Sequence, residues 1–263
     1  MISRRTFVGT GTLALVGTAC TARTGEAAQE EESQSQSGGA LPPSIAALKS
    51  MKGQATPISV EERKVRLEKA RRLMVERKID ALMLAGGTSL VYFTGMNWGN
   101  SERFTGVIIP AKGAPFVVTP KFEEERTIEQ VKLGPLGDGT DVLTWEEHEN
   151  PHDRVAQGLK SRGISAGTLG VEETVKWVFS DMASHQLPAM KLTSGTPVTA
   201  GCRMVKDAHE IALMKLASKV TLLAYQAAYK AMKEGMTQND FARLVSQAHD
   251  KLGFAGGAGV QVG

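Results

Sequence analysis

A chain of 263 residues with 41% hydrophobic and 22% charged side chains has the makeup of an ordinary globular protein with room for one or two cores. Its formal net charge of +3, which export processing that removed Arg4 and Arg5 would lower to +1, is too small a surplus to imply a nucleic-acid partner. Two cysteines, Cys20 and Cys202, make neither a zinc-ribbon spacing nor a disulfide framework, and Cys202 reads as a small, partly buried side chain.

In chain order, the first 28 residues read as an export signal. Arg4 and Arg5 follow Ser3, Phe7 comes two residues on, and an uncharged, mildly apolar run extends from Val8 to Ala19. The arginine pair suits twin-arginine export, a route for proteins already folded, and so predicts an exported, extracytoplasmic protein. The run falls short of the ~20 apolar residues that cross a bilayer. A general secretory signal or a short uncleaved anchor are the alternatives. Cys20 after "GTA" weakly suggests lipid attachment, but Gly17 stands where a bulky aliphatic belongs. Residues 29–56, opening on the polar run that ends "QEEESQSQSGG", read as a flexible linker, with folding expected to begin near Pro57.

From 57 to 198 the texture is α/β. Residues 58–78 stripe Val60, Leu67, Ala70 and Met74 along one helical face, with Glu61, Glu62, Glu68 and Glu76 among the Lys and Arg of a solvated face. "IDALMLAG" (79–86) reads as a buried strand. "FTGVIIP" and "PFVVTP" (104–110 and 115–120) read as a hairpin joined by "AKGA". Helix is expected over 122–133, strand over 140–147, helix over 151–163, strand over 168–173 and helix over 175–186. The alternation predicts a mostly parallel sheet with one antiparallel pair.

After residue 198 come two long helices. The first, 207–235, stripes Ile211, Met214, Ala217, Thr221, Tyr225, Ala228 and Met232; the second, 237–253, opens with a Thr237/Asp240 capping pair and stripes Phe241, Leu244, Val245, Ala248 and Leu252. Two helices cannot bury both stripes against each other, so the segment calls for a further surface. Val260 to Val262 alternate as the opening of a strand would, and Gly263 reads as a truncation point.

"HENPH" (148–152) matches the H-E-x-x-H zinc signature by letter. Pro151 would break the single helix that signature needs, at ~3 kcal/mol or more, and "Asn150-Pro151" reads instead as a cap and first position of the next helix. The glycines of 256–263 precede no helix that would hold a phosphate. His185 and His209 lack clustered partners and read as surface histidines, and no Ser-His-Asp or Cys-His set can be singled out from spacing.

Two longer signatures carry more. "SLVYFTGMNW" (89–98), and "RMVKDAHEIALMKLASKV" (203–220) leading to "KEGMTQNDFARLVSQAHDKLG", resemble the creatinase, prolidase and aminopeptidase P group of metallopeptidases. The resemblance spans about 57 to 263. It implies a creatinase-like N-terminal α/β domain (57–198), followed at 199–263 by the first helices of an incomplete pita-bread α+β catalytic domain. It implies an Xaa-Pro peptidase whose two divalent metals, Mn, Co or Zn, are held by two Asp, one His and two Glu. All five fall beyond residue 263 in family order, so no catalytic or metal-binding residue is assigned here and this chain alone is expected to be inactive. The resemblance further implies a peptide substrate for the full-length form and a homodimer or higher homo-oligomer. Within it, "GMNWGNSER" (95–103) is the candidate for a loop reaching a neighbouring subunit's site, with Trp98 walling a proline pocket and Arg103 meeting a substrate carboxylate. Two other readings stand beside this one: a non-catalytic binding or dimerisation module, and a creatinase-type amidinohydrolase fragment.

Overall fold

The computed structural model describes residues 40–258. Along the chain these form α1 (Pro43–Ala46), α2 (Val60–Glu76), β1 (Ala81–Ala85), α3 (Thr88–Thr94), β2 (Gly106–Pro110), β3 (Phe116–Pro120), α4 (Glu124–Lys132) and β4 (Val142–Trp145). They continue with α5 (Pro151–Lys160), β5 (Gly167–Val171), α6 (Trp177–Gln186), β6 (Met190–Ser194), α7 (Thr196–Arg203), α8 (Ala208–Ala231) and α9 (Gln238–Leu252). The described residues divide into two compact units, one of residues 50–223 and one that joins 40–49 with 224–258.

The larger unit is an α/β/α sandwich around a six-stranded sheet in the order β4-β3-β2-β1-β5-β6. The pairs β1/β5, β5/β6 and β3/β4 are parallel, whereas β1/β2 and β2/β3 are antiparallel. The single antiparallel pair expected from sequence is thus corrected to two. The chain leaves β1 through α3 and re-enters from the same end of the sheet, so β2 must run back along β1 with Leu84 opposite Val107.

Strand β1 is buried over its whole length, as a strand covered on both faces must be. Its alternation sorts two cores. Leu82 and Leu84 face Leu67, Ala70 and Met74 of α2 together with Leu90 and Phe93 of α3, while Ala81 and Met83 share the opposite core with Phe104, Phe116, Val155, Leu159 and Phe179. The α2 start is a full capping box, Ser59 with Glu62. Asn150 caps α5 by accepting from the His152 backbone N–H, with Pro151 as the first helical residue, so the sequence expectation for "HENPH" holds and His148 lies in the preceding turn.

Elements β6 and α7 were not expected. "MKLTS" is a half-buried edge strand and "TPVTAGCR" is rich in weak helix formers; packing of Val198 and Cys202 against the α2 side of the sheet supplies what propensity does not. The flexible linker expected over 29–56 is corrected in its described part. Residues 43–46 are helical, 52–54 form a 3₁₀ turn, and Ile45 and Met51 are buried. Two prolines start the short helix, which sinks Ile45 into the fold, and Met51 does the same just before the 3₁₀ turn.

In the smaller unit, α1 lies against α9, and Ser44 Oγ donates to the Ala227 carbonyl at 2.8 Å. Helix α9 carries the expected Thr237/Asp240 capping box, ends on the left-handed Gly253, and buries Leu244, Val245, Ala248 and Leu252. The stripe of 207–253 is therefore partly covered, by a segment assigned from sequence to the linker. Met214, Leu222 and Tyr229 of α8, and Met232 just after it, stay exposed. The two units part within α8, whose first turns are tied to the α/β unit by ion pairs to α2.

Candidate functional site

The candidate loop 95–103 leaves α3 at Gly95, whose φ of 77° is the left-handed helix stop that glycine adopts without a Cβ penalty. The "YFTG" phrase has a local purpose at every marked position. Tyr92 Oη donates to the Cys202 carbonyl at 3.1 Å, and Thr94 Oγ1 both donates to the Leu90 carbonyl and accepts from the Met96 N–H. Burial, and then the Glu210 charge, push the Tyr92 phenol up to about 12, so it remains a donor.

Beyond Gly95 the loop is clamped along its length. Asn97 N–H donates to Gln130 Oε1 at 2.7 Å, Lys176 Nζ donates to the Ser101 carbonyl at 2.9 Å, and Trp145 Nε1 donates to the Phe104 carbonyl at 3.0 Å. At Gly86, after β1, a Cβ would sit 2.5 Å from the Gly99 carbonyl oxygen, so the loop crosses the strand end in backbone contact.

Trp98 turns into its own domain. It is only 8% exposed, belongs to the core that includes Leu90 and Phe93, and has the Arg126 guanidinium 4.4 Å from its ring centroid. Within this chain Trp98 is an anchor for the loop, its ring packed in the core of its own domain and faced by the Arg126 cation. Arg103 stays outward, with 40% of its side chain exposed. Its Nε donates to Glu147 Oε1 at 2.6 Å, its Nη1 pairs with Glu102, and it lies 5.5 Å from the ring centroid of exposed Phe122. The Glu147 hydrogen bond, and next its charge, raise the Arg103 pKa. An incoming carboxylate can bind this guanidinium by competing with Glu102 and Glu147. The residues that hold the loop, Gln130, Arg126, Glu147 and Lys176, carry no motif and were not foreseen.

The second signature forms a joint. Asp207 and Glu210 cap α8 reciprocally, with Asp207 N–H to Glu210 Oε2 at 2.9 Å and Glu210 N–H to Asp207 Oδ1 at 2.8 Å. Glu210 Oε1 also takes Arg66 Nη2 at 2.9 Å, and the Arg66 guanidinium lies 4.0 Å over the Tyr92 ring. Arg203 reaches Ser89 Oγ at 3.0 Å and Glu173 at 3.6 Å. His209, expected as a lone surface histidine, is half-buried and bonded to Glu62 at 2.5 Å; the Ser59-x-x-Glu62 spacing was the available signal for an occupied carboxylate there. Cys202 is buried more fully than expected, and burial raises its thiol pKa. Arg4, Arg5 and Cys20 lie outside the described residues.

Among the described residues no three His, Cys, Asp or Glu side chains converge as a metal-holding group. No helix among them is long and apolar enough to cross a membrane.

Residues 66–205 match the family model of the creatinase/prolidase N-terminal domain. A protein named probable dipeptidase PepE, from Mycobacterium tuberculosis, is 26% identical over 200 residues, covering 72% of this chain and 50% of that protein. The Xaa-Pro dipeptidase of Lactobacillus delbrueckii subsp. lactis is 24% identical over 188 residues, 71% of this chain and 49% of its own length. The crystal structure of dipeptidase PepE from Mycobacterium ulcerans superposes with a TM-score of 0.64 at 22% identity, over 74% of this chain and 51% of that one; at that identity it speaks for the fold. The chain thus spans about half the length of the curated relatives it matches. With the domain model covering more than half of its residues, the chain belongs to the creatinase/prolidase N-terminal domain family.

Proposed function

We propose that this chain is the N-terminal portion of an exported Xaa-Pro metallopeptidase, which hydrolyses peptide bonds to proline at a dinuclear metal site formed by residues beyond 263. The reading rests chiefly on the family match over 66–205, joined to relatives named as dipeptidases that are about twice as long as the matched segment. Two divalent ions of the Mn, Co or Zn kind would supply hydroxide and polarise the scissile carbonyl. The described residues contribute a rigid α/β domain, a joint that sets the first turns of α8 on it, and an outward Arg103.

In this reading the full-length form takes peptide substrates and works as a homo-oligomer, and Arg103 meets the substrate carboxylate of a neighbouring subunit. The Arg4/Arg5 leader supports export by the twin-arginine machinery to the periplasm or beyond. The test is proline release. A product expressed from the coding sequence continued past codon 263, supplied with Mn²⁺ or Co²⁺, is expected to release proline from Xaa-Pro dipeptides, while the 263-residue chain releases none. No release by the longer product with either metal would refute the peptidase reading.

A further inference from the structure

Both ring nitrogens of His209 face acceptors. Nδ1 lies 2.5 Å from Glu62 Oε1, and Nε2 lies 3.0 Å from the Thr56 carbonyl oxygen. A neutral imidazole carries one N–H, so either tautomer leaves a lone pair against one of these oxygens; only the imidazolium donates to both. The three groups come from separate stretches: Glu62 from the first turn of α2, Thr56 from the strap between the 52–54 turn and α2, and His209 from the first turn of α8. Glu62 serves two contacts at once, because its Oε2 accepts from Ser59 N–H at 2.7 Å and Ser59 Oγ at 2.8 Å as the α2 cap.

The groups facing His209 are uniformly electron-rich. They are Glu62 from α2, the Thr56 carbonyl from the strap, and Asp207 from its own helix start. Arg63 bears on the carboxylate of Glu62 from the next position of α2. We propose that Glu62, His209 and the Thr56 carbonyl form a proton-operated latch, which pins the strap and the first turn of α8 to α2 when His209 is an imidazolium and loosens when it is neutral and can donate to only one of the two.

The direction of the pH effect follows from the same contacts. The Glu62 hydrogen bond, helped by the Glu62 charge and opposed by burial, raises His209 above its ordinary 6.5, and the His209 hydrogen bond is the largest cause holding Glu62 at about 2. The histidine's contribution is complete below 6.5 and is lost as pH rises through its raised folded value. The carboxylate's contribution is complete above 4.5 and is lost as pH falls toward about 2. The latch is therefore closed in mildly acidic solution and opens as pH rises through the raised His209 value.

The 263-residue chain itself serves for the test. Histidine side-chain NMR from pH 5 to 9 is expected to place the His209 midpoint above 6.5, and Glu62→Gln, whose amide oxygen still accepts from Ser59, to return it to about 6.5. Amide exchange, corrected for its intrinsic pH dependence, is expected to accelerate in 52–57 and 207–211 across that titration in the native chain and to show no such step in His209→Gln. A native midpoint at or below 6.5, an unchanged midpoint in Glu62→Gln, or protection that ignores the titration would each overturn the latch. The native titration alone decides the matter if either variant folds poorly.

Discussion

His152 offers the sharpest test of how the α5 side of the sheet is built. It is fully buried, its ring lies 5.0 Å from that of Phe104 and 6.3 Å from that of Phe179, and its Nε2 has no hydrogen-bond partner. Burial lowers its pKa from 6.5 to about 4, with Asp153 only a small opposing influence. The unfolded chain thus binds a proton between pH 6.5 and 4 that the folded chain refuses. Stability attributable to this residue is intact above 6.5, falls by about 1.4 kcal/mol per pH unit on acidification, and levels off below the folded value. Over the gap from 6.5 to about 4 the loss amounts to ~3 kcal/mol, a large part of a typical folding free energy.

Replacing His152 by Phe removes the titration while keeping an aromatic ring among Phe104 and Phe179; any overpacking cost is independent of pH. Urea unfolding followed by tryptophan emission suits the experiment, since Trp98, Trp145 and Trp177 all lie in the larger unit. Between pH 7 and pH 4 the native chain is expected to lose ~3 kcal/mol more than His152→Phe. Equal losses in the two proteins would refute the reasoning, as would a His152 NMR midpoint near 6.5.

Two further expectations concern close approaches. A Cβ at Gly158 of α5 would stand 2.2 Å from the Phe116 ring, so Gly158→Ala is expected to destabilise the larger unit by ~1–3 kcal/mol in the same urea assay, despite alanine's better helix propensity; an unchanged midpoint would refute this. Gly86→Ala, forced against the backbone of Gly99, is expected to displace loop 95–103, moving the Trp98 indole N–H resonance while leaving that of Trp145 in place. If Trp98 keeps its shift, the loop does not rest on Gly86.

Much of the architecture was legible because it is written in local periodicity. The α2 stripe, the buried run of β1, the β2/β3 hairpin, the Asn150-Pro151 helix start and the Thr237/Asp240 box each follow from a few adjacent residues and their rotameric or capping physics. Elements without local signal were missed. Edge strand β6 and helix α7 exist because of what they pack on, and the four-residue helix that buries Ile45 is too short to show a periodic stripe.

The loop and the joint divide along the same line. Sequence placed 95–103 and the Arg203 to Ile211 signature as the informative stretches, since Gly95, Asp207 and Glu210 act through near neighbours. Tertiary structure alone decided that Trp98 is an anchor under Arg126, that Arg103 is held by Glu147 44 residues away, and that His209 closes on Glu62 147 residues away. Capping and periodicity are short-range and can be read from spacing. Ion pairs, ring stacking and burial depend on which distant segments the sheet order brings together, and no spacing in the chain encodes that directly.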